Sequence, residues 1–141
     1  MVQTICICGA GTMGSGIAQV SAQAGFTTIL YELNAMVLEK AKAAIHKSLQ
    51  SLFEKGKLPA AEKEKIQDRL QFTSELQNCI GDVIIEAIVE KPEIKIALFN
   101  QLSEINGSQC IFASNTSSLS INSIASQIKN PERVIGMHFF N

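Results

Sequence analysis

The chain has 141 residues, of which 46% are hydrophobic and 18% charged, and its formal net charge is −1. This size and balance predict one globular domain and exclude the broad basic surface that nucleic acids or anionic membranes require of a partner. The apolar run from Ile5 to Ala10 lacks the basic flank of a signal peptide and the length of a membrane span, which predicts a cytoplasmic protein.

Five short apolar runs are typical of strands that helices cover on both faces. They are Val2–Cys8, Thr27–Tyr31, Val83–Ile88, Cys110–Ala113 and Val134–Met137. Helical periodicity between them predicts helices over Met13–Gln23, Ala35–Lys55, Ala60–Leu70, Pro92–Ile105 and around Ile121–Gln127. Strands that alternate with helices predict a doubly wound α/β fold with a mostly parallel sheet and helices on both faces.

The crossover after the second predicted strand is longer than this fold requires. Asn34 is a predicted N-cap for its first helix. Gly56 and Pro59 then separate a second, highly charged helix over Ala60–Leu70. We expect this additional segment to be a place for substrate contacts.

The four cysteines lie mostly in apolar stretches and lack the paired spacings of zinc sites. They are Cys6, Cys8, Cys79 and Cys110. The sequence therefore predicts buried thiols that pack as small hydrophobic side chains, and no metal site.

A glycine-rich turn directly follows the first predicted strand and leads into the first helix. Gly9 permits a tight turn, Gly11 lets the backbone approach a pyrophosphate, and Gly14 lets the helix lie close to the strand. The pyrophosphate would lie at the helix N-terminus, where Thr12 and Met13 stand and where free amide groups favour an anion. This pattern predicts a Rossmann-type dinucleotide site, although a turn that serves only helix packing has the same glycines.

Glu32, at the end of the second predicted strand, favours the dinucleotide interpretation. It stands about twenty residues beyond the turn, where a ribose-binding acid is expected. Its carboxylate would accept hydrogen bonds from both ribose hydroxyls and repel a 2′-phosphate, and no arginine lies nearby. The predicted cofactor is therefore NAD rather than NADP.

Polar residues follow three further predicted strands, at the edge where open α/β proteins bind ligands. They are the acids of Asp82–Glu90, the run Ser114–Ser118 and His138. A histidine at this edge suits alcohol oxidation, because it can accept the hydroxyl proton while hydride leaves for nicotinamide. A histidine in an apolar segment also serves structural roles, and a Ser/Thr run also forms helix-capping turns.

Four sequence blocks together resemble the signature blocks of 3-hydroxyacyl-CoA dehydrogenases, in order and in spacing. They are Gly9–Gly14, Ile85–Glu90, Ser114–Leu119 and Pro131–Asn141. The resemblance implies that residues 1–141 form an NAD-binding domain, and that the enzyme is an oxidoreductase of short-chain (S)-3-hydroxyacyl-CoA in fatty-acid metabolism.

The resemblance also implies roles for residues at the predicted cleft. His138 matches the base that takes the 3-hydroxyl proton, and Ser117 matches a residue that hydrogen-bonds the substrate oxygen near the nicotinamide. Asn141 matches a position that contacts the acyl-CoA. Glu90 and Lys95 match cofactor-lining positions. Glu32 matches the ribose acid, where the family more often has aspartate.

Two residues of the second predicted helix match positions that contact coenzyme A. Ser48 and Lys55 are seven residues apart, which places them on one helix face two turns apart. A lysine there can meet a phosphate as a point charge. A solvated helix face is the alternative interpretation of both residues, and His46 has no match.

The chain ends directly after a predicted strand, at His138–Asn141, which predicts a domain truncated at its C-terminal end. Family members continue with a glutamate that orients the histidine, an asparagine and a helical domain through which they form dimers. The resemblance therefore implies a homodimeric parent, and a fragment that binds NAD but turns over slowly or not at all.

Other functions are alternatives to 3-hydroxyacyl-CoA oxidation. 3-Hydroxyisobutyrate and 6-phosphogluconate dehydrogenases use a catalytic lysine and carry other motifs in place of Ser114–Ser118. A Ser/His hydrolase would require a Gly-x-Ser-x-Gly elbow, which this sequence lacks. A non-catalytic NAD-binding or structural protein of the same fold is the alternative that the sequence leaves open.

Overall fold

One sheet of six parallel strands organises the computed structural model, which describes residues 1–140 of the chain. The strands are β1 (Thr4–Cys8), β2 (Thr27–Tyr31), β3 (Leu70–Thr73), β4 (Val83–Glu86), β5 (Ile111–Ser114) and β6 (Val134–Gly136). Their order across the sheet is β3-β2-β1-β4-β5-β6, and every neighbouring pair is parallel. This strand order is that of the doubly wound dinucleotide-binding fold, so the predicted fold class is confirmed.

In the described part of the chain five α-helices connect the strands, as predicted, with ends that differ by up to two residues from the predicted ones. They are α1 (Thr12–Gln23), α2 (Ala35–Glu54), α3 (Ala60–Arg69), α4 (Pro92–Ile105) and α5 (Ile121–Ala125). Asn34 caps α2 as predicted, since its Oδ1 accepts hydrogen bonds from the amides of Met36 and Val37. Within residues 1–140, every helix is too short or too polar to cross a membrane.

The sheet separates two apolar cores, because alternate side chains of each strand point to opposite faces. On one face, Ile5 and Ile7 of β1 pack with residues of α1, α2 and α3. On the other face, Cys6 and Cys8 pack with residues of α4 and α5. Both faces of the sheet are therefore covered, which explains why the strands read as continuous apolar runs.

The strand β3 is absent from the sequence prediction, which extended a helix through Leu70. The helix α3 ends at Arg69, and Leu70 begins an edge strand that pairs with β2 from Thr28 to Tyr31. Only Leu70 among its four residues is fully buried. A short edge strand with a half-buried, partly polar sequence has no clear apolar run, which is why the pattern missed it.

The chain crosses from one side of β1 to the other between β3 and β4. Strands β2 and β3 extend the sheet on one side of β1, and β4, β5 and β6 extend it on the other. A crevice forms at the carboxyl ends of β1 and β4, where the two sets of crossovers diverge. The glycine turn, the acids Glu86 and Glu90, the run Ser114–Ser118 and His138 lie at this edge, as predicted. Asp82 does not: it precedes β4 at the opposite edge, where its Oδ2 accepts hydrogen bonds from the amides of Gln3 and Thr4.

Candidate cofactor site and catalytic cleft

The glycine turn brings β1 and α1 into close contact. Gly9 has φ +103°, and a Cβ there would lie 2.6 Å from the carbonyl oxygen of Ala87. A Cβ on Gly14 would lie 1.7 Å from the carbonyl oxygen of Gly9. Both positions therefore exclude any side chain, and the turn and helix contacts are those that the sequence predicts.

The N-terminus of α1 presents free space and free amide groups. Gly11 is exposed, and a Cβ built on it would meet nothing within 4 Å. Within the described residues, no side chain caps this helix and no acid stands in its first turn. A helix end with exposed amides and no acid in its first turn suits an anion such as a pyrophosphate. The fit supports the dinucleotide interpretation, with Thr12 exposed at the same end.

Glu32 joins the end of β2 to the glycine turn. Its Oε2 accepts a hydrogen bond from the amide of Ala10 (3.0 Å), and its Oε1 accepts one from the amide of Asn34 (3.1 Å). With Gly9 and Tyr31 it lines a cavity of about 280 Å³. The carboxylate is therefore held beside the turn, as a ribose-binding acid must be.

A second cavity, which we call the cleft, has a volume of about 340 Å³ and lies on the other side of the glycine turn. Five of the predicted site residues line it: Met13, Glu90, Lys95, Ser117 and His138. Ile88 lines both the cleft and the cavity beside Glu32, so the two spaces adjoin. Together they form a continuous surface along the carboxyl edge of the sheet, from Glu32 to His138.

A buried ion pair forms one wall of the cleft. Lys95, on α4, is 1% exposed, and its Nζ contacts Oε1 of Glu86, which is fully buried at the end of β4. The second carboxylate oxygen of Glu86 accepts a hydrogen bond from the hydroxyl of Ser114 (2.6 Å), and the amide of Ile88 donates to Oε1 (2.7 Å). Every oxygen of this buried carboxylate is thus satisfied, as a buried charge requires.

Glu90 shares the same lysine from the solvent side. Its Oε1 lies 2.8 Å from Nζ of Lys95, and its Oε2 accepts hydrogen bonds from the hydroxyls of Thr116 (2.6 Å) and Ser118 (3.3 Å). Burial opposes its ionisation, but the hydrogen bonds from Lys95, Thr116 and Ser118 outweigh that effect and lower the pKa of Glu90. Glu90 therefore stays ionised beside the cleft and holds the Ser/Thr run in place.

The two residues predicted to carry the chemistry both reach the cleft from the ends of β5 and β6. Ser117 and His138 are exposed and line the cleft together. The imidazole of His138 lies beside the ring of Phe140, with 4.5 Å between the ring centroids. An exposed imidazole and an exposed hydroxyl that line the same cleft can both reach a bound alcohol, and the imidazole can exchange a proton with it, which a buried structural histidine could not do.

Ser48 and Lys55, the two predicted coenzyme A contacts on α2, differ in their surroundings. The hydroxyl of Ser48 accepts a hydrogen bond from Nε2 of Gln19 on α1 (3.0 Å). Lys55 is the C-terminal cap residue of α2 and is exposed. Asn141, the third predicted substrate residue, lies outside the described residues.

The sequence analysis placed Glu86 and Asn115 among the polar residues at this edge but gave them no role. In the structure both support predicted site residues. Glu86 is a carboxylate within the apolar run Val83–Ile88, and a charged residue in a strand buried on both faces requires a buried partner. This requirement predicts a cation on a neighbouring element, and in the structure that cation is Lys95 on α4. Asn115 gave no such signal, because its contacts depend on how the loops after β5 and β6 meet.

The cysteines pack in the core beneath α4, as predicted. All four are buried, and three of them, Cys6, Cys8 and Cys79, hold their sulfur atoms within 4.8 Å of one another. This grouping was not visible in the sequence spacing. Burial raises the pKa of Cys110 to about 11, so this thiol stays protonated at neutral pH. The surrounding core is apolar, and in it the thiols pack as small hydrophobic side chains.

Comparison with known proteins agrees with this geometry. The profile of the family described as 3-hydroxyacyl-CoA dehydrogenase, NAD binding domain, matches residues 4–141. A 3-hydroxyadipyl-CoA dehydrogenase of Escherichia coli K12 is 45% identical over 141 residues, and covers 99% of this chain. A probable 3-hydroxybutyryl-CoA dehydrogenase of Deinococcus radiodurans is 46% identical over 136 residues, and covers 96% of it. This chain spans 30% and 49%, respectively, of the lengths of those two relatives.

Solved structures show the same correspondence in three dimensions. A 3-hydroxybutyryl-CoA dehydrogenase of E. coli K12 superposes on the whole chain with a TM-score of 0.97 at 45% identity, over 30% of its own length. An (S)-3-hydroxybutyryl-CoA dehydrogenase of Ralstonia eutropha does so with a TM-score of 0.95 at 37% identity, over 50% of its length. The strand order, the glycine turn and the family match agree, and the chain belongs to the 3-hydroxyacyl-CoA dehydrogenase family as its NAD-binding domain.

Proposed function

We propose that the protein containing this chain transfers a hydride between NAD and the 3-hydroxyl carbon of a short-chain (S)-3-hydroxyacyl-CoA. The observation that carries the proposal is the meeting of Ser117 and His138 in one cleft beside the glycine turn. The printed names of the relatives, 3-hydroxybutyryl-CoA and 3-hydroxyadipyl-CoA dehydrogenase, support an acyl-CoA substrate.

The glycine turn and Glu32 bind and orient the cofactor in this proposal. Gly9, Gly11 and Gly14 allow the pyrophosphate to reach the amides of Thr12 and Met13 at the start of α1. The carboxylate of Glu32 accepts hydrogen bonds from the adenosine ribose. When bound, NAD supplies the carbon that accepts or donates the hydride.

His138 and Ser117 handle the proton of the substrate hydroxyl. The imidazole of His138 accepts this proton as the hydride leaves, and returns it to the keto oxygen in the reverse direction. The hydroxyl of Ser117 hydrogen-bonds the same oxygen and holds it within reach of the imidazole. Glu90 and Lys95 line the wall beside the nicotinamide in this proposal. Because the carboxylates of Glu86 and Glu90 share one lysine, this wall carries a net negative charge.

The coenzyme A portion lies along α2 in this proposal. Lys55 is exposed and meets a phosphate as a point charge, while Ser48 and Asn141 contribute hydrogen bonds. The helical partner domain, the homodimer and the cytoplasmic location stay predictions of the sequence.

Replacing Gly11 by alanine is expected to weaken NADH binding by about tenfold or more without loss of stability. The added methyl group meets no protein atom within 4 Å, so the fold accepts it. It fills the space through which the backbone approaches the pyrophosphate. Fluorescence titration with NADH and thermal unfolding measure the two effects.

Gly107→Ala is the matched control, because its Cβ also meets nothing within 4 Å and it lies in the loop before β5. NADH affinity of Gly11→Ala equal to that of this control would place the pyrophosphate elsewhere.

Replacing His138 by glutamine in the protein containing this chain is expected to lower kcat by about 10²- to 10⁴-fold. Glutamine keeps hydrogen-bonding capacity but cannot accept the proton. The assay follows the loss of NADH absorbance that depends on acetoacetyl-CoA. His46→Gln is the matched control. His46 is on α2, its ring contacts Phe72 of β3, and it does not line the cleft.

Unchanged kcat in His138→Gln would contradict the proposed base. NADH binding without any turnover in the unsubstituted protein would favour the non-catalytic alternative instead.

A further inference from the structure

Two hydrogen bonds hold the backbone on either side of His138. The parallel ladder between β5 and β6 ends where Ser114 is opposite Gly136. The amide of Met137 then donates to the carbonyl oxygen of Ser114 (2.9 Å). The next bond comes from a side chain, since the amide of Phe139 donates to Oδ1 of Asn115 (2.7 Å).

Asn115 is itself fixed to the central part of the sheet. Its amide donates to the carbonyl oxygen of Glu86 (2.8 Å), at the carboxyl end of β4. The side chain of Glu86 is locked by Lys95 and Ser114. The chain of contacts therefore runs from the buried ion pair through Asn115 to the backbone next to His138.

We infer that Asn115 is a positioning residue for His138, an inference that rests on the proposed role of His138 as the base. The amide side chain of Asn115 continues the β5–β6 ladder by one step beyond the last strand residue. It thereby fixes the backbone after His138, as the carbonyl of Ser114 fixes the backbone before it. Without this bond the backbone of Phe139 would lose its hydrogen bond to the sheet and keep only the packing of its side chain against the apolar core, so the imidazole of His138 would be held less firmly towards the cleft.

Asn115 also lines the cleft, so direct contact with a ligand is the competing explanation. Two substitutions distinguish positioning of His138 from direct contact with a ligand. Asn115→Ala removes both the acceptor for the Phe139 amide and the NH₂ group that could contact a ligand. Asn115→Asp keeps the acceptor and replaces the NH₂ group by a carboxylate oxygen, which adds a negative charge. A positioning role predicts that aspartate restores what alanine loses, whereas direct donation to a ligand predicts that both substitutions fail alike.

The decisive measurement is the hydrogen-exchange rate of the Phe139 amide in the NADH-bound chain, followed by NMR together with the mobility of the His138 ring. Asn115→Ala is expected to speed exchange about tenfold, the equivalent of one hydrogen bond, and to make the ring more mobile. Asn115→Asp is expected to keep both near the unsubstituted values. Asn115→Leu, which keeps the side-chain volume, replaces alanine if that variant does not fold.

Kinetics on the protein containing this chain provide the second readout. Loss of the Asn115 acceptor is expected to lower kcat about tenfold, with little change in KM for NADH, because the base is displaced and the cofactor site is not. An unchanged Phe139 exchange rate, a failure of aspartate to restore it, or an effect on KM alone would overturn the inference. Absence of turnover in the unsubstituted protein would instead refute the proposed function, while the exchange measurement still decides the role of Asn115.

Discussion

Replacing Lys95 by methionine is expected to lower the free energy of unfolding by about 3–5 kcal/mol. The substitution leaves the carboxylate of Glu86 fully buried without the cation that neutralises it. Hydrogen bonds from Ser114 and the Ile88 amide remain, but they do not replace the opposite charge. Chemical denaturation followed by circular dichroism measures the loss.

Two further variants test whether this loss of stability comes from the unpaired charge of Glu86. Lys129→Met removes an exposed pair with Glu104, 3.8 Å apart, and is expected to change stability by less than about 1 kcal/mol. Adding Glu86→Gln to Lys95→Met removes the unpaired charge and is expected to recover most of the lost stability. A single Lys95 variant as stable as the Lys129 variant would mean that the buried charge is tolerated by other means.

Replacing Gly14 by alanine is expected to destabilise the domain by about 3 kcal/mol or more and to abolish NADH binding. The new methyl group would lie 1.7 Å from the carbonyl oxygen of Gly9, a backbone atom that cannot rotate away. The helix α1 would have to move off β1, which displaces the amides proposed to bind the pyrophosphate. Denaturant unfolding and fluorescence titration with NADH measure both losses.

Gly16→Ala provides the comparison within the same helix. Gly16 is exposed, and its Cβ would meet nothing within 4 Å. Alanine there is expected to stabilise the domain by about 0.5–1 kcal/mol, because it restricts the unfolded chain and favours the helix. If both alanine variants were equally stable, the close approach at Gly14 would not be what holds α1 against the sheet.

Much of the fold could be predicted from the sequence because its signals are local. The apolar runs predict five of the six strands, and the spacing of the glycines predicts the turn after β1. These patterns reflect steric and burial requirements within a few residues. The edge strand β3 was missed for the same reason, since its pairing with β2 comes from distant residues and its own four residues carry little pattern.

The residues of the candidate site also fall into two groups, those that the sequence predicts and those that it does not. Met13, Glu90, Ser117 and His138 lie in the motif blocks, Lys95 matches a family position beyond them, and all five line the cleft. The supports beneath them were not assigned, because Glu86 and Asn115 act through contacts across 9 to 28 residues of chain. A motif shows which residue faces a ligand, whereas the partners that hold that residue depend on how neighbouring loops pack.

The order of the strands also determines when the site can come into being during synthesis. The cavity beside Glu32 combines residues up to Leu33 with residues from Ile88 to Gln101, whereas the cleft is completed only by the segment after β6. A ribosome-bound intermediate that had released residues up to the end of α4 would contain every residue that lines the cavity beside Glu32, but not His138. Dinucleotide capture by a nascent chain would therefore precede catalytic competence, and the ligand could assist folding of the later strands by mass action.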